Sequence, residues 1–178
     1  VDGRLVVGHA LGVSVRVGGV WSVYTAAGGL APGAVRHVAL APTGTLWVAT
    51  YGGGLGWVAG GVAGQIPLGP GSIRDAHLSS VFIGDEGSVW LQGNEGVTRL
   101  RLDDLEAARG QALALLPIQA ISLGEANGWL RPSASLQRSG QLWLAGVDGV
   151  VVLDTETALP VGAPRAPTIL AARVGDVD

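Results

Sequence analysis

Gly54, Gly56 and Ala59 fit the loose G-x-G-x-x-A spacing of a dinucleotide site. Such a loop ends a strand, offers backbone N–H groups to a pyrophosphate, and leads into a helix whose N-terminus meets the charge. Here the chain continues Leu55-Gly56-Trp57-Val58-Ala59-Gly60-Gly61, which is too glycine-rich for a helix and is built of strand-forming residues. Corresponding places elsewhere carry Asn94-Glu95-Gly96 and Asp148-Gly149, with no glycine cluster. These glycines therefore read as turn punctuation, and no cofactor is expected.

Other chemistry fares similarly. His9, His37 and His77 are far apart and none belongs to a metal-ligand spacing, so each reads as a surface or turn residue and no metal is expected. Asp103, Asp104 and Glu106 lie close in sequence, whereas catalytic carboxylate pairs usually face each other across a cleft. They read as the acidic start of a short helix, with Asp103 or Asp104 as its cap and Gly110 as its stop. Ser79-Ser80 and Ser133-Ala134-Ser135 lack the glycines of a nucleophile elbow. No catalytic residue is expected.

The net charge of -3, the absence of Lys and the scattered Arg residues exclude a nucleic-acid footprint, which needs concentrated positive charge to meet phosphates. Cysteine is absent, which removes disulfides and thiolate metal sites. No apolar run reaches the roughly 18 residues of a membrane span. With no initiator Met and no signal peptide, the chain reads as an internal piece of a longer protein. High apolar content with 30 Gly implies many short strands joined by tight turns.

The elements repeat. Gly44-Thr45-Leu46-Trp47-Val48 recurs as Gly87-Ser88-Val89-Trp90-Leu91 and Gly140-Gln141-Leu142-Trp143-Leu144, with a weaker copy at Gly3-Arg4-Leu5-Val6-Val7. The leading glycines stand roughly 40 to 50 residues apart, the spacing of repeat architectures. Nine residues after each comes another: Gly12, Gly53, Gly96 and Gly149. Six and four residues before the leading glycine stand Val38 and Leu40, Val81 and Ile83, Ala134 and Leu136, the period-2 alternation of a strand. Each unit thus reads as strand, Gly turn, Leu-Trp strand, Gly turn, strand, with hairpin turns at 42–44, 85–87 and 138–140. Val62 to Leu68 could supply a fourth strand.

That is the size of a propeller blade. The fold class is all-β, a partial β-propeller of about 3.5–4 four-stranded blades, with units around 3–13, 44–55, 87–97 and 140–150. Gly44, Gly87 and Gly140 are the structural turns. Trp47, Trp90 and Trp143 are core positions, each burying an indole between blades while its N–H can reach a polar partner. Trp21 and Trp57 lie in strand-like runs and are also expected to pack. Tyr51 and Asn94, just after a Leu-Trp strand, and Trp129, in a loop-like stretch, are the candidate ligand-binding residues. A partial ring leaves open blade faces, so the isolated chain is expected to be poorly soluble or to associate.

The run Gly-Thr-Leu-Trp-Val-Ala-Thr-x-Gly-Gly-Gly-Leu over 44–55 resembles the repeat of the two-component regulator propeller, the ligand-binding sensor region of bacterial membrane receptors. The resemblance covers roughly 1–157 and includes Val20 to Thr25 with Gly28-Gly29-Leu30. It implies that 158–178 form a linker and the first strand, about 166–174, of a following immunoglobulin-like domain. It further implies a periplasmic ligand-sensing segment, non-catalytic itself. Its parent would be an inner-membrane homodimer whose output is a histidine kinase or a diguanylate cyclase. The implied partner is a small molecule or oligosaccharide, with no nucleic acid and no membrane contact by this segment. Asp85-x-Gly87-x-x-Trp90 also resembles the Asp-box hairpin of sialidases, which the other units lack. A sialidase- or lyase-type propeller enzyme and a protein-binding propeller scaffold are the alternatives.

Overall fold

A computed structural model describes residues 3–84, 87–113, 115–121, 130–138, 140–146, 150–155 and 169–173. They build four antiparallel sheets in chain order. Sheet 1 holds β1 (Leu5–His9), β2 (Gly12–Val17) and β3 (Val20–Thr25). Sheet 2 holds β4 (Gly33–Leu40), β5 (Leu46–Gly52), β6 (Gly54–Ala59) and β7 (Val62–Gln65). Sheet 3 holds β8 (Leu78–Ile83), β9 (Ser88–Gly93), β10 (Gly96–Arg101) and β11 (Gln119–Ile121). Sheet 4 holds β12 (Leu130–Arg138), β13 (Gln141–Gly146), β14 (Val150–Asp154) and β15 (Ile169–Arg173). Each is a meander of sequential strands. The first strands of sheets 2, 3 and 4 pack against one another, β4 on β8 and β8 on β12, with β1 against β4. This is an arc of propeller blades, as the repeat predicts. No helix among the described residues is long and apolar enough to cross a membrane.

The hairpin turns form where the glycines require them. Gly44, Gly87 and Gly140 have φ of 86°, 72° and 70°, a region that costs other residues strain. Around the first turn Ala41 N–H donates to Thr45 O at 2.8 Å, and Gly84 N–H donates to Ser88 O at 2.7 Å at the same place in sheet 3. Asp85, with its Asp-box reading, lies outside the described residues.

The alternation of the Leu-Trp strand decides how the sheets stack. Successive side chains point to opposite faces. Leu46 and Val48 pack toward sheet 1, with Val13, Leu30 and Val58 in one cluster and Val6 and Val15 against it. Trp47, fully buried at 0% exposure, points toward sheet 3, among Val81, Val89, Leu91 and Leu100. Trp90 repeats this against Leu142, Leu144 and Leu153 of sheet 4. Every described seam therefore has one direction: a forward-facing Trp, or Val6 in sheet 1, meets the backward-facing aliphatic residues of the next sheet.

That polarity corrects two expectations. Trp143 occupies the repeat position of Trp47 and Trp90 but is 42% exposed, because its face looks away from the arc where no fifth sheet follows among the described residues. Trp21, expected to pack, is 50% exposed. It stands in register with Arg16 and Leu5 on the backward face of sheet 1, which no described sheet covers. A third expectation fails too. The buried Nε1 atoms of Trp47, Trp57 and Trp90 have no hydrogen-bond partner among the described residues, so these indoles act through apolar area.

Near the chain's end, Ile169–Arg173 pair antiparallel with β14, Val151 opposite Ala172 and Val152 opposite Ala171. The stretch is the outer strand of sheet 4, where the resemblance implies the first strand, about 166–174, of a following immunoglobulin-like domain. The physical reason is the free edge of β14, whose backbone groups gain a ladder from this strand. The boundary near 157–158 lies outside the described residues.

The helix in the insertion is α1 (Leu102–Ala108), with Asp103 and Asp104 in its first turn. Neither Asp caps it: the N-cap is Arg101, with no side-chain cap bond. Leu102, Leu105 and Ala108 are buried in the cluster that holds Trp47 and Trp57. Glu106 reaches back to sheet 2, where Thr43 and Thr45 hydroxyls donate to its Oε1 and Oε2 at 2.7 and 3.0 Å. Arg109 Nε lies 2.7 Å from Glu106 Oε2. Its N–H is not aimed along that line, so the contact is an ion pair without an aligned hydrogen bond. The guanidinium also stands over the Trp57 ring, 5.4 Å from its centroid. The insertion clamps the seam between sheets 2 and 3.

Candidate functional site

At the end of that seam opposite the 42–44 hairpin, two turns and a loop converge. The loop between β7 and β8 crosses the β5–β6 turn, and Ala76 O accepts from Gly52 N and Gly54 N at 2.8 and 2.9 Å. This fixes an antiparallel bridge between Tyr51 and His77. Asp75 then ties the loop to sheet 3: its Oδ1 accepts from His77 N at 2.7 Å and its Oδ2 from Glu95 N at 2.8 Å. Gly93 permits that approach, since a Cβ there would run into the Asp75 carboxylate.

The result is an exposed cluster drawn from two sheets. Asn94 Nδ2 donates to Tyr51 Oη at 3.3 Å. The Tyr51 ring meets His77 edge-on at 4.8 Å, and the Arg36 guanidinium stands 5.1 Å from its centroid. Two of the three candidate residues, Tyr51 and Asn94, are thus brought together; Trp129 lies outside the described residues. His77, Arg36 and Asp75 were missed from the sequence. Their signal was weak: Asp75 two residues before His77 fits a local side-chain-to-backbone turn, but nothing marks where that turn lands.

The cluster offers a phenol, an amide, an imidazole and a guanidinium around an aromatic face. It can hydrogen-bond and stack on a polar ligand. Both Asp75 oxygens are engaged by backbone N–H groups, so that carboxylate serves to position the loop. Among the described residues, no three His, Asp or Glu side chains gather as a metal-ligand set.

His37, read as a surface or turn residue, instead enters the seam between the inner strands. A bulge at Val35/His37 in β4 re-aims its ring toward β8. There Nδ1 lies 2.9 Å from Val81 O, and in the Nδ1–H tautomer it donates to that carbonyl. The ring packs on Phe82 at 4.9 Å. Burial holds the His37 pKa below its ordinary value of 6.5, with the Val81 bond opposing in part. A lowered folded-state pKa means that the unfolded chain binds the proton more readily. Stability from this residue is therefore lost as pH falls through 6.5, and the loss levels off below the folded-state value. Denaturant unfolding of wild type and His37→Asn at about pH 7.5 and about pH 5 checks this. The stability advantage of wild type over the variant is expected to shrink at the lower pH, and a constant difference contradicts it.

No protein-family model matches the sequence, and no curated protein matches it. Solved structures do match. One is the extracellular domain assigned to the hybrid two component system BT3049 from B. thetaiotaomicron, at 19% identity and TM-score 0.61, covering 90% of this chain and 21% of that one. Another is the extracellular domain assigned to the hybrid two component system BT4673 of the same organism, at 16% identity and TM-score 0.64, covering 98% and 22%. The chain spans about a fifth of the length of these structures. At these identities the likeness establishes fold: this chain is folded like part of the extracellular domain of a bacterial two-component receptor, as the resemblance to the two-component regulator propeller implies.

Proposed function

We propose that this chain is a ligand-sensing segment of a bacterial signal-transduction receptor, lying in the periplasm and performing no chemistry itself. The observation that carries this reading is the joining of Tyr51 and Asn94 across the seam between sheets 2 and 3, with His77 and Arg36 beside them. A ligand held there touches two blades at once, so its binding energy depends on how the blades are packed. That dependence is what lets binding bias a downstream conformational equilibrium. The ligand class is a small polar molecule or an oligosaccharide, whose hydroxyls suit the amide, phenol and imidazole. The receptor is a membrane-anchored homodimer, and its output is a histidine kinase or a diguanylate cyclase.

The test is a binding screen of soluble mono- and oligosaccharides by thermal shift, followed by titration of each binder against Tyr51→Ala and Asn94→Ala. Affinity is expected to fall about tenfold or more in each variant, the equivalent of one to two lost hydrogen bonds or stacking contacts. Binding that both variants leave intact sinks the assignment of this cluster.

A further inference from the structure

Arg36 reaches the Tyr51 cluster from a bulge. In β4, Val35 stands opposite Thr50 and His37 opposite Ala49, so Arg36 is an extra residue with no cross-strand neighbour. A bulge re-aims the side chain of its extra residue. Sheet 3 has the same irregularity between Leu78 and Ser80, which makes Ser79 its extra residue. Arg36 and Ser79 each stand eight residues before a leading glycine, Gly44 and Gly87. The two side chains are used differently. Ser79 is buried, and its hydroxyl donates to Gln92 O at 3.0 Å, closing the bulge on its own sheet. Arg36 is exposed, and its guanidinium stands over the Tyr51 ring, 5.1 Å from the centroid.

A guanidinium laid on a ring keeps its edge N–H groups for other acceptors. No carboxylate pairs with Arg36 among the described residues. The cluster's own carboxylate, Asp75, has both oxygens on backbone N–H groups, and Glu95 joins through its backbone N–H. The other side chains add more donors. Tyr51 Oη already accepts from Asn94 Nδ2, which leaves its O–H to donate. Asn94 has a second N–H, and the His77 ring carries one. Hydroxyls of a neutral sugar need acceptors as well as donors, and they leave the guanidinium without an anion. The group that complements a donor-rich site around a free guanidinium is a carboxylate, which only accepts and which matches the fork of an Arg. We propose that the ligand of this cluster carries a carboxylate and that Arg36 holds it beside Tyr51. The inference rests on the sensing site proposed above and adds the charge of its ligand. The carboxylate belongs to a sugar acid or to a small organic acid.

Chemical-shift titrations of the 178-residue chain at about pH 7 and low salt test this. The probes are galacturonate and glucuronate, each set against its neutral parent, galactose or glucose, with succinate and lactate as acids that carry no sugar. At least one acid is expected to bind about tenfold or more tightly than the neutral sugars. Arg36→Gln is expected to remove that advantage and to leave the neutral sugars unchanged. Arg36→Lys keeps the charge without the fork and is expected to recover part of it. That variant carries the test if Arg36→Gln loses its strand signal by circular dichroism. Uronates that outbind succinate and lactate assign a sugar acid; equal or tighter binding of the sugar-free acids assigns a small organic acid. A neutral sugar that binds as tightly as its acid overturns the proposal. So does an acid whose binding Arg36→Gln leaves intact, and so does a panel in which no acid binds. If Tyr51→Ala and Asn94→Ala still weaken a neutral sugar in that case, the sensing site stands and only the charge of its ligand is wrong. If they do not, the site falls as well.

Discussion

Replacing Trp47 by Ala is expected to destabilise the chain by about 3–5 kcal/mol, the usual range for emptying a large buried aromatic site. Trp47 is fully buried between sheets 2 and 3, in the cluster that also holds Val81, Val89 and Leu91. Removing it opens a cavity at a seam and withdraws apolar contact from both sheets. Trp47→Phe is expected to cost much less, because the indole N–H makes no hydrogen bond among the described residues and only ring area is lost. Trp143→Ala is the internal control. It sits at the same repeat position but is half-exposed, so under conditions where the chain is monomeric its cost is expected to stay below about 1 kcal/mol. Urea unfolding of the three variants checks the ordering. Equal losses at Trp47 and Trp143 contradict the one-directional stacking of the sheets.

Glu106→Ala is expected to cost about 2–3 kcal/mol, the range for removing a charged hydrogen-bonding partner from a partly buried site. The carboxylate accepts from two threonine hydroxyls of the 42–45 hairpin and pairs with Arg109. Thr45 is buried, so its hydroxyl loses its acceptor without ready access to water. Arg109 loses the anion that holds it over Trp57. Glu106→Gln keeps an acceptor for a threonine and is expected to recover part of the loss, while the ion pair stays broken. Urea midpoints of the two variants at low and moderate salt separate these contributions. A surface decoration with no seam role gives no loss in either variant.

The repeat made the sheets legible in the sequence. The Gly-x-x-Trp spacing, with Leu or Val before the Trp, marked β5, β9 and β13, and the alternation before each glycine marked β4, β8 and β12, because both signals come from local turn geometry and strand period. Burial was less legible. Trp143 and Trp21 carry the same local pattern as Trp47 and Trp57, and what separates them is whether another sheet lies against that face. Sequence period names a face without saying what covers it. The fate of Ile169–Arg173 illustrates a similar gap: a short apolar strand serves equally well in a new domain or on a free edge, and here β14 offers the edge.

The candidate site was half legible. Tyr51 and Asn94 stood out because the position after a Leu-Trp strand reaches the end of a blade. Their mutual contact, and the arrival of His77 and Arg36, depend on the β7–β8 loop being pinned by Ala76 and Asp75, a set of long-range bonds that no local pattern encodes. His37 escaped for the same reason, since its role comes from a bulge aiming it at a strand 44 positions away.

The most direct measurement is a backbone-amide NMR titration of the chain with a sugar that the thermal-shift screen identifies. If the seam cluster senses the ligand, the largest shift changes fall at Tyr51, His77, Asn94 and Glu95, on both sheets together. Changes confined to one sheet, or centred on the opposite end near Thr43 and Glu106, contradict a ligand site that spans the two blades.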